Sequence, residues 1–202
     1  MKLLRAIATV TVMSALAACA SAPDKPTLLA LPSVAATAPA TAVPALQPHA
    51  LVLRRIAVPE YIDSREVRYR SDKSRVESFK STVWAERIEL GMTRELSAGL
   101  RNRLPEWLVC NGACGDRAVD GVLSVDWNSL DLDRTGQKLS IDVQWVLLDN
   151  AAKRGTPSAN GRLVKTIVVK GDSADAYANA IAEAVDQLSV DVVTRGIPQL
   201  QH

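Results

Sequence analysis

The sequence predicts a single α+β domain, a mainly antiparallel or mixed β-sheet with two long amphipathic helices packed on it. Two helical stripes and one strand-rich stretch between them carry this. Trp84, Ile88, Met92, Leu96 and Leu100 recur every four residues, as on one face of a helix. Between 119 and 170 the period falls to two, with Leu139, Ile141, Val143, Trp145 and Leu147 alternating with polar neighbours, the pattern of a half-buried strand. A second stripe, Tyr177, Ile181, Ala184, Val185, Leu188 and Val192, precedes Gly196 and Pro198, which suit a helix end.

Taken in order, residues 1–18 read as a targeting segment. Lys2 and Arg5 form a basic start, and Ala6 to Leu16 is apolar except at Thr9, Thr11 and Ser14. That run is shorter than the ~20 residues that span a bilayer. It ends in Leu16-Ala17-Ala18-Cys19, which resembles the lipobox of bacterial lipoproteins. In those proteins the cysteine is diacylated, the preceding peptide is removed and the new N-terminus is acylated. The alternative is an ordinary signal peptide cut near Ala18 or Ala20. The position of Cys19 and the liability of an unpaired exposed thiol favour lipidation. Two acyl chains already give stable anchoring. Ala20 follows the cysteine where lipoproteins kept at the inner membrane commonly carry Asp, so by resemblance the address is the outer membrane, with the domain facing the periplasm.

The full chain has 24 Lys+Arg against 22 Asp+Glu. Loss of Lys2 and Arg5 with the leader brings the two into balance, and no basic stripe interleaves with aromatics, so nucleic acid is not an expected partner. From Cys19 to Ala50 the chain reads as a lipidated tether: Pro23, Pro26, Pro32, Pro39, Pro44 and Pro48 stand among many alanines, a composition that buries too little to order itself. Thr27 to Leu31 is apolar enough for a short strand. If it docks, the free tether shrinks to about seven residues and Ser33 to His49 becomes an exposed loop.

The folded domain is expected over 51–197. Leu51 to Val58 alternates up to Pro59, and a second extended piece, Glu66 to Arg70, precedes a charged turn at 71–74. Val76 and Phe79 fit a further short strand or the entry to a helix. The first helix is expected from Trp84 to the stop at Pro105. Three strands follow as an antiparallel meander. The first contains Leu123, Val125 and Trp127, a turn falls near Thr135-Gly136, and the third strand, 162–170, follows a turn signalled by Gly155, Pro157 and Asn160-Gly161. Asp172 or Ser173 caps the last helix.

Absences bound the chemistry. The two histidines are His49, in the tether, and His202, so neither a Ser-His-Asp nor a Cys-His site is expected inside the domain, and a histidine-bound metal is disfavoured. Asp126, Asp131 and Asp133 are conceivable as a carboxylate or calcium site, but the stretch lacks the glycine and terminal glutamate of a calcium loop, which favours a solvated strand end. No phosphate-cradling loop is present. No enzyme, metal or cofactor is therefore expected. Cys110 and Cys114 have no further cysteine or histidine nearby with which to complete a metal site. In an oxidising periplasm the Asn111-Gly112 turn can bring them together, so a structural disulfide is expected.

Val58-Pro59-Glu60-Tyr61-Ile62-Asp63, the extended 65–70 segment, Val83-Trp84-Ala85-Glu86 and Trp145-Val146-Leu147-Leu148-Asp149 together resemble the PqiC-type lipoproteins, the ABC-transport auxiliary lipoprotein family. The resemblance covers most of residues 27–195. Two departures affect local geometry: Arg87 stands where the family often has proline, and the Pro32–Pro48 insertion is long. The resemblance implies an outer-membrane lipoprotein of an intermembrane lipid-transport system that supports envelope integrity. Its implied partners are an MCE-domain protein that spans the periplasm and inner-membrane transporter components, with phospholipid a candidate ligand and a homo-oligomer compatible with the symmetry of an MCE ring. Tyr61 and Trp84 are the candidate partner or pocket contacts, each weighed against simple packing of helix on sheet. The alternative function is a stand-alone envelope lipoprotein with a structural or outer-membrane assembly role.

Overall fold

In the computed structural model, which describes residues 25–33, 49–72, 74–150 and 157–200, both sequence periods become elements. The strands are β1 (Thr27–Leu29), β2 (His49–Leu53), β3 (Glu66–Arg70), β4 (Val76–Trp84), β5 (Trp107–Asn111), β6 (Gly121–Asp133), β7 (Lys138–Asp149) and β8 (Pro157–Val168). The helices are α1 (Ile88–Arg103) and α2 (Ala174–Arg195), followed by a short 3-10 turn at Ile197–Leu200. Five strands form one sheet in the order β5-β2-β6-β7-β8, and three form a second in the order β1-β4-β3. β2 runs parallel to both β5 and β6, whereas β6, β7 and β8 form the expected antiparallel meander.

The meander shows how the sequence pattern sets the packing. Leu123, Val125 and Trp127 point into the core opposite Leu147, Trp145 and Val143. A register shift between Trp127 and Ser129 then changes the phase, and Leu130 and Leu132 become the inward residues opposite Ile141 and Leu139. One extra residue in one strand, a β-bulge, produces this change from odd to even positions while the partner strand keeps its alternation. Ser173 caps α2 by accepting the Ala176 N–H at 3.1 Å. The helices meet where a Cβ on Gly99 would lie 2.8 Å from Ser189 Oγ, and Arg103 pairs with Asp186 at 2.8 Å. Glycine permits that close approach.

The structure corrects several sequence expectations and decides one that was open. Helix α1 begins at Ile88, and Trp84 is the last residue of β4. Trp84 shares the core with α1 from the strand side, so the four-residue spacing reports common burial across two elements. Of the two alternatives for Val76 and Phe79 the strand is the one formed, as the start of the nine-residue β4. β5, unexpected, pairs with β2. Asn160-Gly161 lies inside β8 and forms no turn: Gly161 sits opposite Trp145, and a Cβ there would stand 2.5 Å from the indole. The first strand of the 51–58 region ends at Leu53, with an isolated bridge at Ala57. Thr27–Leu29 does form a strand, pairing in parallel with Thr82, Val83 and Trp84.

Candidate functional site

Trp84 lies where three segments converge. Its N–H donates to the Arg65 carbonyl at 2.8 Å, and the next residue, Ala85, donates to the Leu29 carbonyl at 2.7 Å. Trp84 is buried and, with Ala85, lines an open cleft of about 520 Å³ whose rim includes Asp63, Arg65, Glu86 and Arg87. Arg87 contacts Asp63 at 3.2 Å and the buried Glu89 at 2.5 Å. The Glu89 contact is one of charge without hydrogen-bond alignment, and both carboxylate oxygens of Glu89 lack a hydrogen bond. Their position in the first turn of α1 stabilises the negative charge. Glu86 pairs with Arg94, holding that guanidinium's pKa above its ordinary value with help from Glu95. Arg65 has no acidic partner among the described residues. The cleft thus offers an apolar wall and an unpaired cation between fixed ion pairs, a surface suited to a polar or anionic segment.

Tyr61 is occupied internally. Its hydroxyl donates to Asp131 Oδ1 at 2.7 Å and accepts the Leu130 N–H at 3.0 Å. Arg70 stacks 4.4 Å from the ring centroid and pairs with Asp131 at 3.4 Å. β2 ends at Leu53, so the distal half of β6 has no strand neighbour on that side, and Tyr61 satisfies a donor that a missing strand leaves open. Burial pushes its pKa up to about 12; the Leu130 bond opposes this and Asp131 adds to it. Burial also raises Tyr177, whose hydroxyl is enclosed without a partner.

A second polar region lies where the β3–β4 turn, the β6–β7 turn and residues 169–173 meet. Two hollows of about 410 and 320 Å³ share Ser71 and Asp133 there. Arg134 donates to the Tyr69 hydroxyl at 3.0 Å and to the Asp172 carbonyl at 2.9 Å, and it lies 4.9 Å from the Phe79 ring centroid. Hydrogen bonds from Ser71 and Tyr69 hold Glu77 below the usual carboxylate range. The acids here serve as turn and hydroxyl acceptors: Asp133 takes the Gly136 N–H at 2.8 Å, and Asp131 takes Tyr61. Asp126 is exposed on β6, away from any such partner. Among the described residues no group of three or more His, Cys, Asp or Glu could hold a metal.

Cys110 and Cys114 form a disulfide with Cα atoms 5.3 Å apart, at the end of β5. Cys19 lies outside the described residues. Tyr61 and Trp84, paired in the sequence reading, occupy separate places: Trp84 walls the cleft, while Tyr61 plugs the edge of β6. Sequence reasoning missed the charged rim, which comes from residues 63–65 and 84–87 and from the start of α1; its local signal is the Glu86-Arg87 pair that follows Trp84.

A family model described as "ABC-type transport auxiliary lipoprotein component" matches residues 29–193. The chain belongs to that family. The match begins inside β1 and ends near the close of α2, spanning both sheets. A crystal structure of an uncharacterized protein is similar at 19% identity and a TM-score of 0.67, covering 85% of this chain and 98% of that one. Protein XCC0632 from Xanthomonas campestris is similar at 17% identity and a TM-score of 0.63, covering 83% and 92%. The hypothetical protein CT253 from Chlamydia trachomatis is similar at 9% identity and a TM-score of 0.50, covering 76% and 98%. At these identities what is shared is the α+β fold. No curated protein sequence matches the chain. As an ABC-type transport auxiliary lipoprotein the protein is a membrane-anchored envelope component of a family that is not an enzyme family. No helix among the described residues is long and apolar enough to cross a membrane.

Proposed function

We propose that this auxiliary lipoprotein is the outer-membrane piece of an ABC/MCE-type lipid-transport system. Its acyl chains on Cys19 hold it to the periplasmic leaflet, and its domain docks the MCE-domain protein that bridges to the inner-membrane components. The observation that carries the reading is the family match over residues 29–193, which follows a lipobox-like cysteine by ten residues. The docking contact is placed at the Trp84 cleft, where an apolar wall and the unpaired Arg65 are available to a partner segment. Tyr61 contributes by fixing the loop that carries Asp63 and Arg65.

The test is capture from detergent-solubilised envelope by the Cys19-anchored protein, followed by identification of the bound chains. Recovery of an MCE-domain protein, lost in Arg65→Glu, is the expected result. Recovery of outer-membrane assembly proteins without any MCE-domain chain would replace this reading with that of a stand-alone envelope lipoprotein.

A further inference from the structure

β1 is the strand nearest the lipid anchor, and its direction gives the domain a membrane-facing end. Five residues, 20–24, separate Cys19 from Lys25. Even fully extended, that leash reaches only ~20 Å at ~3.3–3.6 Å per residue. A domain of roughly 150 residues is about 40 Å across, from a radius of gyration near 15 Å. The leash is therefore shorter than the body it holds, and the side on which it enters must face the bilayer.

That side follows from the pairing. β1 runs parallel to β4, with Thr27 beside Thr82 and Leu29 beside Trp84. β4 starts at the β3–β4 turn, so the chain enters β1 from the side of that turn. Three turns gather at this end, because Arg134 ties Tyr69 to Asp172 and the Val169 N–H donates to the Gln137 carbonyl at 2.8 Å. The opposite end carries the disulfide and the 112–120 loop, which the Asn150 N–H joins by donating to the Asp120 carbonyl at 2.9 Å.

The charges at the entry end suit an anionic surface. Lys25, Lys80, Lys138 and Lys170 are exposed and have no acidic partner among the described residues, and Arg75 reaches Asp72 only at 4.0 Å. The acids of this end, Asp72, Glu77, Asp133 and Asp172, are held by local hydrogen bonds but stay exposed and charged, so it is the excess of cations, Lys25, Arg75, Lys80, Arg134, Lys138 and Lys170, that favours an anionic surface. Val76 (43% exposed) adds apolar contact at the turn. Cationic side chains near an anionic leaflet are attracted within a Debye length of its surface.

We propose that the end bearing the β3–β4 turn, with Lys25, Arg75 and Lys80, rests on the anionic phospholipid headgroups, and that the Cys110–Cys114 loop at the other end points away into the periplasm. The inference rests on lipidation of Cys19 and deepens the proposed function by fixing which end is free for a partner.

The test uses the acylated full-length protein in vesicles of phosphatidylethanolamine with one-quarter phosphatidylglycerol and a nitroxide-bearing lipid. A bimane label is attached to Ser74→Cys or, separately, to Arg117→Cys under non-reducing conditions. Ser74 labels are expected to be quenched several-fold more than Arg117 labels, and the difference should shrink in the triple variant Lys25→Gln/Arg75→Gln/Lys80→Gln, which still floats with the vesicles. Equal quenching at both positions, or stronger quenching at Arg117, overturns the orientation. Flotation of Cys19→Ser separates the two claims. If that variant still floats, the anchor reading fails, whereas if it is released and the quenching pattern is reversed, only the orientation fails.

Discussion

Replacing Tyr61 with phenylalanine removes one oxygen and two hydrogen bonds while leaving the ring and its contact with Arg70 in place. The Leu130 N–H then has no partner on an edge that no strand covers, and Leu130 itself is fully buried. An enclosed donor left unsatisfied costs about 1–3 kcal/mol. A loss of about 2 kcal/mol corresponds to a fall in melting temperature of about 4–8 °C for a domain of this size. Urea unfolding followed by tryptophan fluorescence reads it directly, as a lower midpoint with an unchanged slope. The pH dependence gives an independent check. The folded-state pKa of Tyr61 is raised to about 12, whereas in the unfolded chain the group ionises near its ordinary value of about 10. Its contribution is thus fully present below pH ~10 and is lost as pH rises towards ~12, because the unfolded state gives up its proton first. Tyr61→Phe should lack that part of the alkaline loss and keep the part due to Tyr177, which is raised in the same direction. A variant with the wild-type midpoint would refute the plug. If that same variant failed to capture the MCE protein, Tyr61 would belong to the docking surface instead.

Gly161→Ala should destabilise the meander by about 1–3 kcal/mol through overpacking, because its Cβ would press on the Trp145 ring; a changed near-ultraviolet signal and a lower urea midpoint are the readouts. Removing the disulfide with Cys110→Ser/Cys114→Ser should cost about 2 kcal/mol by loop entropy, a small sum because the loop is short, without abolishing the fold. Two reactive thiols in the native mature protein would contradict the bridge. Cys19→Ser should move the protein from the membrane fraction to the soluble periplasm with its melting temperature unchanged, as fractionation and calorimetry would show.

The legible elements were those whose side chains keep one period throughout. α2 has a cap at Ser173 and an uninterrupted stripe to Val192, and β7 alternates from Leu139 to Leu147, so local rules sufficed for both. β4 was obscured because its alternation is broken: the pairing with β3 slips between Glu66 and Arg68, and Ser81 takes a left-handed φ of 51°. β5 was hidden by its own cysteine, since Cys110 is both the fourth residue of a strand and one end of a disulfide. The Asn160-Gly161 pair reads as a turn by composition, yet the glycine makes room for the Trp145 indole on the neighbouring strand β7. The candidate site was legible only in part. Trp84 could be singled out from its motif, but the cleft also needs Asp63 and Arg65, which pairing of β3 with β4 brings alongside it, and no spacing in the chain announces that. The role of Tyr61 depends on where β2 stops, a tertiary fact.

The parallel seating of β1 on β4 also has a mechanical meaning. A strand anchored at its N-terminus and hydrogen-bonded side by side to its neighbour is loaded in shear when the anchor is pulled along its axis, so the bonds of Thr27–Leu29 share the force rather than opening one after another. Behind them, Leu31 bears on Gly91 of α1, where an added Cβ would lie 3.2 Å from Leu31 Cδ1, and so acts as a stop. If Cys19 carries the anchor and a partner docks as proposed, tension between the two would pass through this latch into the core, and the domain would serve as a coupling under load as well as a place of attachment.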